Sequence, residues 1–441
     1  MADWDEAEKR AEKAHDLFER GELEEALREL RRAIAINPYN TSWNFNLGLT
    51  LDAMERYEEA LEAYRKVLAT DPNDLETLNA IGADLAHLGQ LKEALDIFNR
   101  IEALDATYEP AYCQRIAIYA EQGNHDKAEE MFYLARQYKE RCPHCYFHIG
   151  ESQYARGQYD KALWCWQQTL ELQPEYPRVH TEIANAYWAK GQYGEAQKHF
   201  FNELRHNPGD IDTLLDLGEL MLEMGQEDSA NDKFRQVLEL EPDEATAHYH
   251  LGQLAHRHGD EATAILQFRR VLRIDSTYAG AHLRLAEIFK NQGHKSEAIF
   301  HANAELAQRD LTEEVATDLG SLLISLEQYT AAENAFQRVV TKNPNHTTAR
   351  HNMAVALLLN HRLEEGIEQC KLTLRSQPKH MLAMHNLALA YILTKDLPRA
   401  RFWLNEAEDL APEDPQLNRL RWRFRWARAT MLVKRLIGFR K

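Results

Sequence analysis

The chain repeats itself every 34 residues, and no other feature limits its fold as strongly. The segments TSWNFNLGLTLDAMERYEEALEAYRKVLATDPND and IDTLLDLGELMLEMGQEDSANDKFRQVLELEPDE carry the same residue classes in the same columns. Steps of 34 place repeat starts at Ala7, Thr41, Leu75, Glu109, Pro143, Pro177, Ile211, Ala245, Ala279, Glu313, Thr347 and Met381, so twelve units fill 7–414 without insertion. A length of 441 residues otherwise suggests about three ordinary domains. Self-similarity at a fixed period replaces that reading with a stacked array.

The columns say what each unit is. Column 8 is Gly or Ala in eleven units, with Ile116 the exception, and column 20 is Ala in eleven, with Gly366 the exception. Column 24 is aromatic in eight units, among them Tyr64, Phe98, Trp166 and Phe336. Small residues let two helices approach, and rings fill the space that remains. The apolar columns 4, 7, 8, 11 and 20, 24, 27 follow the i, i+3, i+4, i+7 spacing of amphipathic helices. A glycine turn such as HLGQ or EMGQ parts the two sets, and Pro at column 32 closes eight units, because proline cannot continue a helix. Each unit is therefore a helix-turn-helix. Alone it cannot bury its apolar faces, whereas stacked neighbours can.

These columns resemble the tetratricopeptide repeat family, and the resemblance covers residues 7–414. It implies an all-α fold, a right-handed α-solenoid of antiparallel helix pairs, whose first helices line a concave groove that binds a peptide or protein. It also implies a scaffold or adaptor rather than an enzyme. The expected organisation is a lead-in over 1–6, twelve repeats over 7–414 and a basic C-terminal helix over 415–441. Units 4 and 9 fit worst, through Ile116 in one and Ala302 and Asp310 in the other. They are either hinge points or places where the packing is compensated.

The sequence gives chemistry little room. There is no phosphate-binding glycine loop, no dinucleotide fingerprint, no H-E-x-x-H and no G-x-S-x-G. The expectation is no catalytic residue and no cofactor, with a regulatory subunit of a separate enzyme as the remaining link to catalysis. One stretch, RCPHCYFH, has metal-ligand spacing: Cys142 and Cys145 form a C-x-x-C pair, His148 follows one turn later, and Cys113 lies one repeat earlier. A second half-site is missing, so the plain alternative is a tight corner with free thiols. Five Cys without a secretion signal read as reduced thiols in a cytosol. The charged start MADWDEAEKRAEKAHD has no apolar core of a signal peptide.

By family resemblance, columns 2, 5, 9, 12 and 13 of each first helix line the groove. In units 5, 6 and 8 these columns or the adjoining column 6 carry Phe147, His148, Tyr154, Trp188, Tyr249 and His256, with Glu151, Glu219, Glu223 and Glu287 around them. Aromatic platforms in an acidic surround suit a basic or amphipathic peptide. Units 11 and 12 place Leu382, Val355, Leu358, Leu359, Leu389, Ile392 and Leu393 on the same nominally wet face. Asn352 and Asn386 lie beside them, placed to tether the backbone of an extended partner.

Composition matters most at the tail. The whole chain carries 52 basic and 70 acidic side chains, whereas 415–441 holds nine Lys and Arg and no acid, leaving a net charge of −27 on the rest. So acidic a body disfavours nucleic acid as a partner. On a helical wheel the tail has two apolar stripes. Leu417, Leu420, Phe424, Ala427 and Met431 form one, and Trp422, Trp426, Ala429, Val433 and Ile437 the other. Arg421, Arg423, Arg425, Lys434 and Arg435 fill the space between. One stripe can cap unit 12. The second then needs a partner: an anionic membrane surface, another protein, or the acidic groove itself. The reading is a cytoplasmic interaction scaffold whose tail seats it peripherally on a membrane. The alternative is a soluble peptide receptor with a self-capping tail.

Overall fold

A computed structural model describes residues 2–139 and 141–438, with side chains from Trp4 to Met431. Among the described residues there are 25 α-helices and no strand. They alternate with the 34-residue period, so each repeat contributes a first helix, here A, and a second, here B. Nine of the A helices start on column 1, as in Thr41–Asp52, Glu109–Glu121 and Met381–Leu393. The first A helix runs Ala2–Glu19 and takes in residues 2–6. No described helix is long and apolar enough to cross a membrane.

Column chemistry accounts for the helix boundaries. Column 34 caps the following A helix: Asn40, Asp74 and Thr312 accept from the backbone N–H of Trp43, Thr77 and Val315. Column 15 is left-handed in every repeat, held by glycine in eight, such as Gly89 at φ 72°, and by Glu55, Glu327, His361 and Lys395 in the others. Within a repeat, the small residue at column 8 makes room for the ring at column 24. A Cβ added at Gly82 or Gly320 would lie 2.5 Å from Phe98 or Phe336. Those rings are fully buried, as are the column-20 alanines from Ala26 to Ala400. Removing one such aromatic side chain costs about 3–5 kcal/mol in a core.

The chain divides into two compact units, residues 1–225 and 226–441. In the first, the core runs between successive helix pairs through Leu47, Tyr64, Leu78, Phe98 and Ile101. It continues as a separate cluster around Ile116, Phe132 and four cysteines. In the second, one cluster runs from Ala264 through Ala302 to Leu357. Repeat 9 therefore packs fully even though Ala302 stands where a ring is usual.

Repeats 6 and 9 share a variant that the columns do not announce. Their A helices, Val179–Ala189 and Ala281–Asn291, start two residues late, after left-handed Arg178 and Gly280. The buried Glu305 carboxylate, from the B helix, accepts from Gly280 N at 2.7 Å and Leu283 N at 2.9 Å. Glu203 occupies the same column in repeat 6 and accepts from the backbone of Arg178 and His180. A buried carboxylate here replaces the usual column-34 cap.

Beyond repeat 12, Pro415–Gly438 forms one helix. Leu417 and Leu420 are buried against Met384, Ala388, Leu404 and Ala407, and Phe424 joins them. This is the first stripe acting as the cap.

Candidate functional site

The A-helix face of repeats 5–7 brings together much of the expected aromatic and acidic set. Tyr154 is half-buried, its ring 5.4 Å from Tyr159 and 6.0 Å from Trp166. Trp188 is half-buried edge-on to Phe200 and donates from Nε1 to Glu223 Oε2 at 2.8 Å. His148 holds Glu151 through Nδ1 at 2.8 Å. Near Tyr154 lie two carboxylates that the sequence did not single out, Glu182 and Asp216, both at column 6. Burial, then the neighbouring Glu151 carboxylate, pushes Glu182 up to about 7. Burial and Glu219 push Asp216 up to about 6. These negative charges share a partly dry surface and repel one another, so a cation placed among them is attracted by all of them.

Two expected groove rings are corrected. Phe147 is buried, 4.9 Å from Tyr176, and its carbonyl accepts from Trp166 Nε1. Tyr249 lies 5.1 Å from Tyr278 and 5.6 Å from Phe268. Both occupy column 5, and in both cases a column-34 tyrosine folds over the ring where the next A helix starts late. Phe147 is thereby packed into the core, whereas Tyr249 stays half-buried with its ring held by neighbours. The tyrosines of EYPR and TYAG were the only clue in the sequence.

In the second unit, His256 is half-buried at the edge of a pocket of about 500 Å³ lined by Glu287, Lys290, Asn291, Asp318 and Ser321. The aliphatic patch of repeats 11 and 12 is smaller than expected. Ile392 is buried. Leu358 leans over Gly366, where a Cβ would lie 2.6 Å from its Cδ2, which explains why column 20 is Gly in that repeat alone. Leu359, Leu382 and Leu393 remain exposed. Asn352 Nδ2 reaches Ser321 at 3.5 Å. Asn386 and Leu389 line a pocket of about 600 Å³ with Arg419, Trp422 and Arg423 of the tail helix.

On the tail, Trp422 and Trp426 are 66% and 64% exposed, and Arg423 and Arg425 are exposed beside them. Arg421 is corrected: it turns to the packed face and pairs with Glu408. Lys434 and Arg435 lie outside the described side chains.

The expected metal ligands are partly regrouped. Cys113, Cys142 and Cys145 converge, but the fourth donor facing them is Glu109, and these four donor atoms all lie within 4.8 Å of one another. His148 is corrected, because it is held by Glu151 instead.

Family models of tetratricopeptide repeats match residues 11–75, 45–109, 215–279, 317–379 and 372–415, and a second such model matches 150–191. A model of the C-terminal tetratricopeptide repeats of YpiA-like proteins matches 177–244. No curated protein matches. Among solved structures, the chain is similar to a tetratricopeptide repeat protein from Parabacteroides merdae at 19% identity and a TM-score of 0.46, covering 57% of this chain and 99% of that one. It is similar to yeast Tom70 at 14% identity and a TM-score of 0.41, covering 97% and 96%. A monomeric IFIT1 mutant with m7Gppp-AAAA is similar at 16% identity and a TM-score of 0.47, covering 85% and 91%.

Proposed function

The chain belongs to the tetratricopeptide repeat family, and from that premise we propose that it is a protein-interaction scaffold whose A-helix face over repeats 5–7 binds a basic peptide segment. The observation that carries the reading is the joint placement of Tyr154 and Trp188 with Glu151, Glu182, Asp216 and Glu223. Half-buried rings give a Lys or Arg side chain a face to stack on, worth about 0.5–2 kcal/mol each. The crowded carboxylates attract the cation and gain from it. The family fold itself supports protein binding, and the site supplies the choice of charge.

The test is fluorescence anisotropy of a labelled Lys- and Arg-rich peptide on the full chain. Glu182 and Asp216, with raised pKa values of about 7 and 6, are ionised at pH 8 and largely protonated at pH 5. Affinity should therefore fall as pH drops through that window. Trp188→Ala should weaken binding about 3- to 30-fold while leaving helicity intact. Binding that is equal at pH 5 and pH 8, and indifferent to Trp188→Ala, would refute this placement.

A second reading concerns the tail. Trp422 and Trp426 stand exposed, flanked by exposed Arg423 and Arg425. That surface suits an anionic membrane interface, which would make the scaffold peripheral to a membrane of a cytoplasmic compartment.

A further inference from the structure

We propose that Glu109, Cys113, Cys142 and Cys145 form a structural zinc site that staples repeat 4 to repeat 5. The four donors come from two A helices. Glu109 and Cys113 lie one turn apart on Glu109–Glu121, and Cys142 and Cys145 open the helix Pro143–Ala155. All four residues are buried. Cys113 Sγ lies 3.3 Å from Cys142 Sγ and 2.9 Å from Glu109 Oε1, and Cys145 Sγ lies 3.4 Å from the same oxygen. Sulfurs held about 2.3 Å from zinc in a tetrahedron are about 3.8 Å apart, so a small outward movement of the thiols admits the ion.

The surroundings fit a metal better than a plain core. Glu109 Oε2 accepts from Lys139 Nζ at 3.3 Å, which leaves Oε1 facing the sulfurs. Cys145 N donates to Cys142 Sγ at 3.3 Å, as the backbone does to a thiolate in a C-x-x-C turn. Three thiolates and a carboxylate around Zn²⁺ leave two negative charges, and Lys139 and the helix N-terminus offset part of them. Soft sulfur donors in a closed four-donor set select zinc over magnesium or calcium. A pocket of about 330 Å³, lined by Glu109, Cys113, Lys139, His144 and His148, gives the ion access.

Repeat 4 departs from the column pattern here. Residues 110–149 fall between the stretches matched by the family models. Column 32 of repeat 4 lacks its proline, and column 34 is Cys142. The A helices of repeats 4 and 5 also touch along more of their length than successive A helices do elsewhere among the described residues. A metal staple would tie these two A helices together directly. On binding, each ligating thiol releases its proton to solvent and no electrons move, so the site needs no redox partner.

The experiment is metal analysis and Co²⁺ titration of the full-length, untagged chain. One equivalent of zinc should bind. Cobalt should give thiolate charge-transfer absorption and the intense visible bands of a tetrahedral site. Cys113→Ser, Cys145→Ser and Glu109→Ala should each lower metal affinity more than tenfold, whereas His148→Ala, Cys165→Ser and Cys370→Ser should not. Because a cysteine variant can fail to fold, wild-type protein is also treated with chelator: its unfolding midpoint should fall, and added Zn²⁺ should restore it. The proposal fails if cobalt gives only weak octahedral bands, or if zinc stays below a tenth of an equivalent. It also fails if His148→Ala abolishes binding while Glu109→Ala spares it, or if Cys113 and Cys142 are recovered as a disulfide.

Discussion

His180 and His199 hold their Nδ1 atoms 3.0 Å apart, and His282 and His301 repeat the arrangement at 2.8 Å. One Nδ1 must donate and the other accept, so neither pair tolerates both rings being charged. Burial, then the partner ring, pushes His199 and His301 down from the ordinary 6.5 to about 4. The unfolded chain therefore binds more protons than the folded one between those values, and the pairs' contribution to stability is lost as pH falls from about 6.5 to 4. Repeats 8 and 11 show another solution at the same column, where Gln267 holds His248 and Gln369 holds Arg350. The double variant His199→Gln, His301→Gln should accordingly lose less stability than wild type between pH 7 and pH 4.5, measured as the shift in thermal midpoint. Raised carboxylates such as Glu182 and Asp216 push the opposite way in both proteins, so only the difference between the two isolates the histidines. At this scale the sequence was legible where small faces large, as at Gly82 and Phe98. It was not legible at Phe147 or Ile392, whose burial depends on what the following loop or helix lays over them.

Among elements, the C-terminal helix divides its labour by face. Its first stripe was readable because Leu417, Leu420 and Phe424 share helical spacing, and the structure buries that stripe on repeat 12. The late starts of Val179–Ala189 and Ala281–Asn291 were not readable, because a lone tyrosine at column 34 and a glutamate at column 27 look ordinary until they meet a left-handed turn. Four donors from two helices were half readable: the cysteines stood out, whereas Glu109 did not, since nothing in its spacing marks a carboxylate as inward-facing. The helix makes a separable prediction. Trp422→Ser, Trp426→Ser alters only the exposed stripe, so the unfolding midpoint should stay within about 1 °C, since surface changes are usually within ±0.5 kcal/mol. Binding to vesicles containing phosphatidylserine should be lost in flotation. Each basic side chain near such a surface is worth about 1 kcal/mol, so wild-type flotation should also weaken at high salt. Wild-type protein that never floats would assign the tryptophans to another occupant.

Each of the two units is held by neighbour-to-neighbour contacts, because helix pairs pack chiefly on the pairs beside them in sequence. Stability in such an array approximates a sum of local terms, and opening can begin at more than one place. Calorimetry should therefore give an enthalpy larger than the van't Hoff value, and a single two-state transition would count against this. The cap has a last consequence. The surface that Leu417 and Leu420 cover on repeat 12 corresponds to the surface on which earlier repeats seat the A helix that follows them. Left open, it would accept a helix from a second copy, and that copy would offer the same open surface again. Such a head-to-tail contact joins two unlike faces and closes no ring, so it has no natural stopping number. Covering that face with Leu417 and Leu420 removes the surface on which such a head-to-tail contact would form.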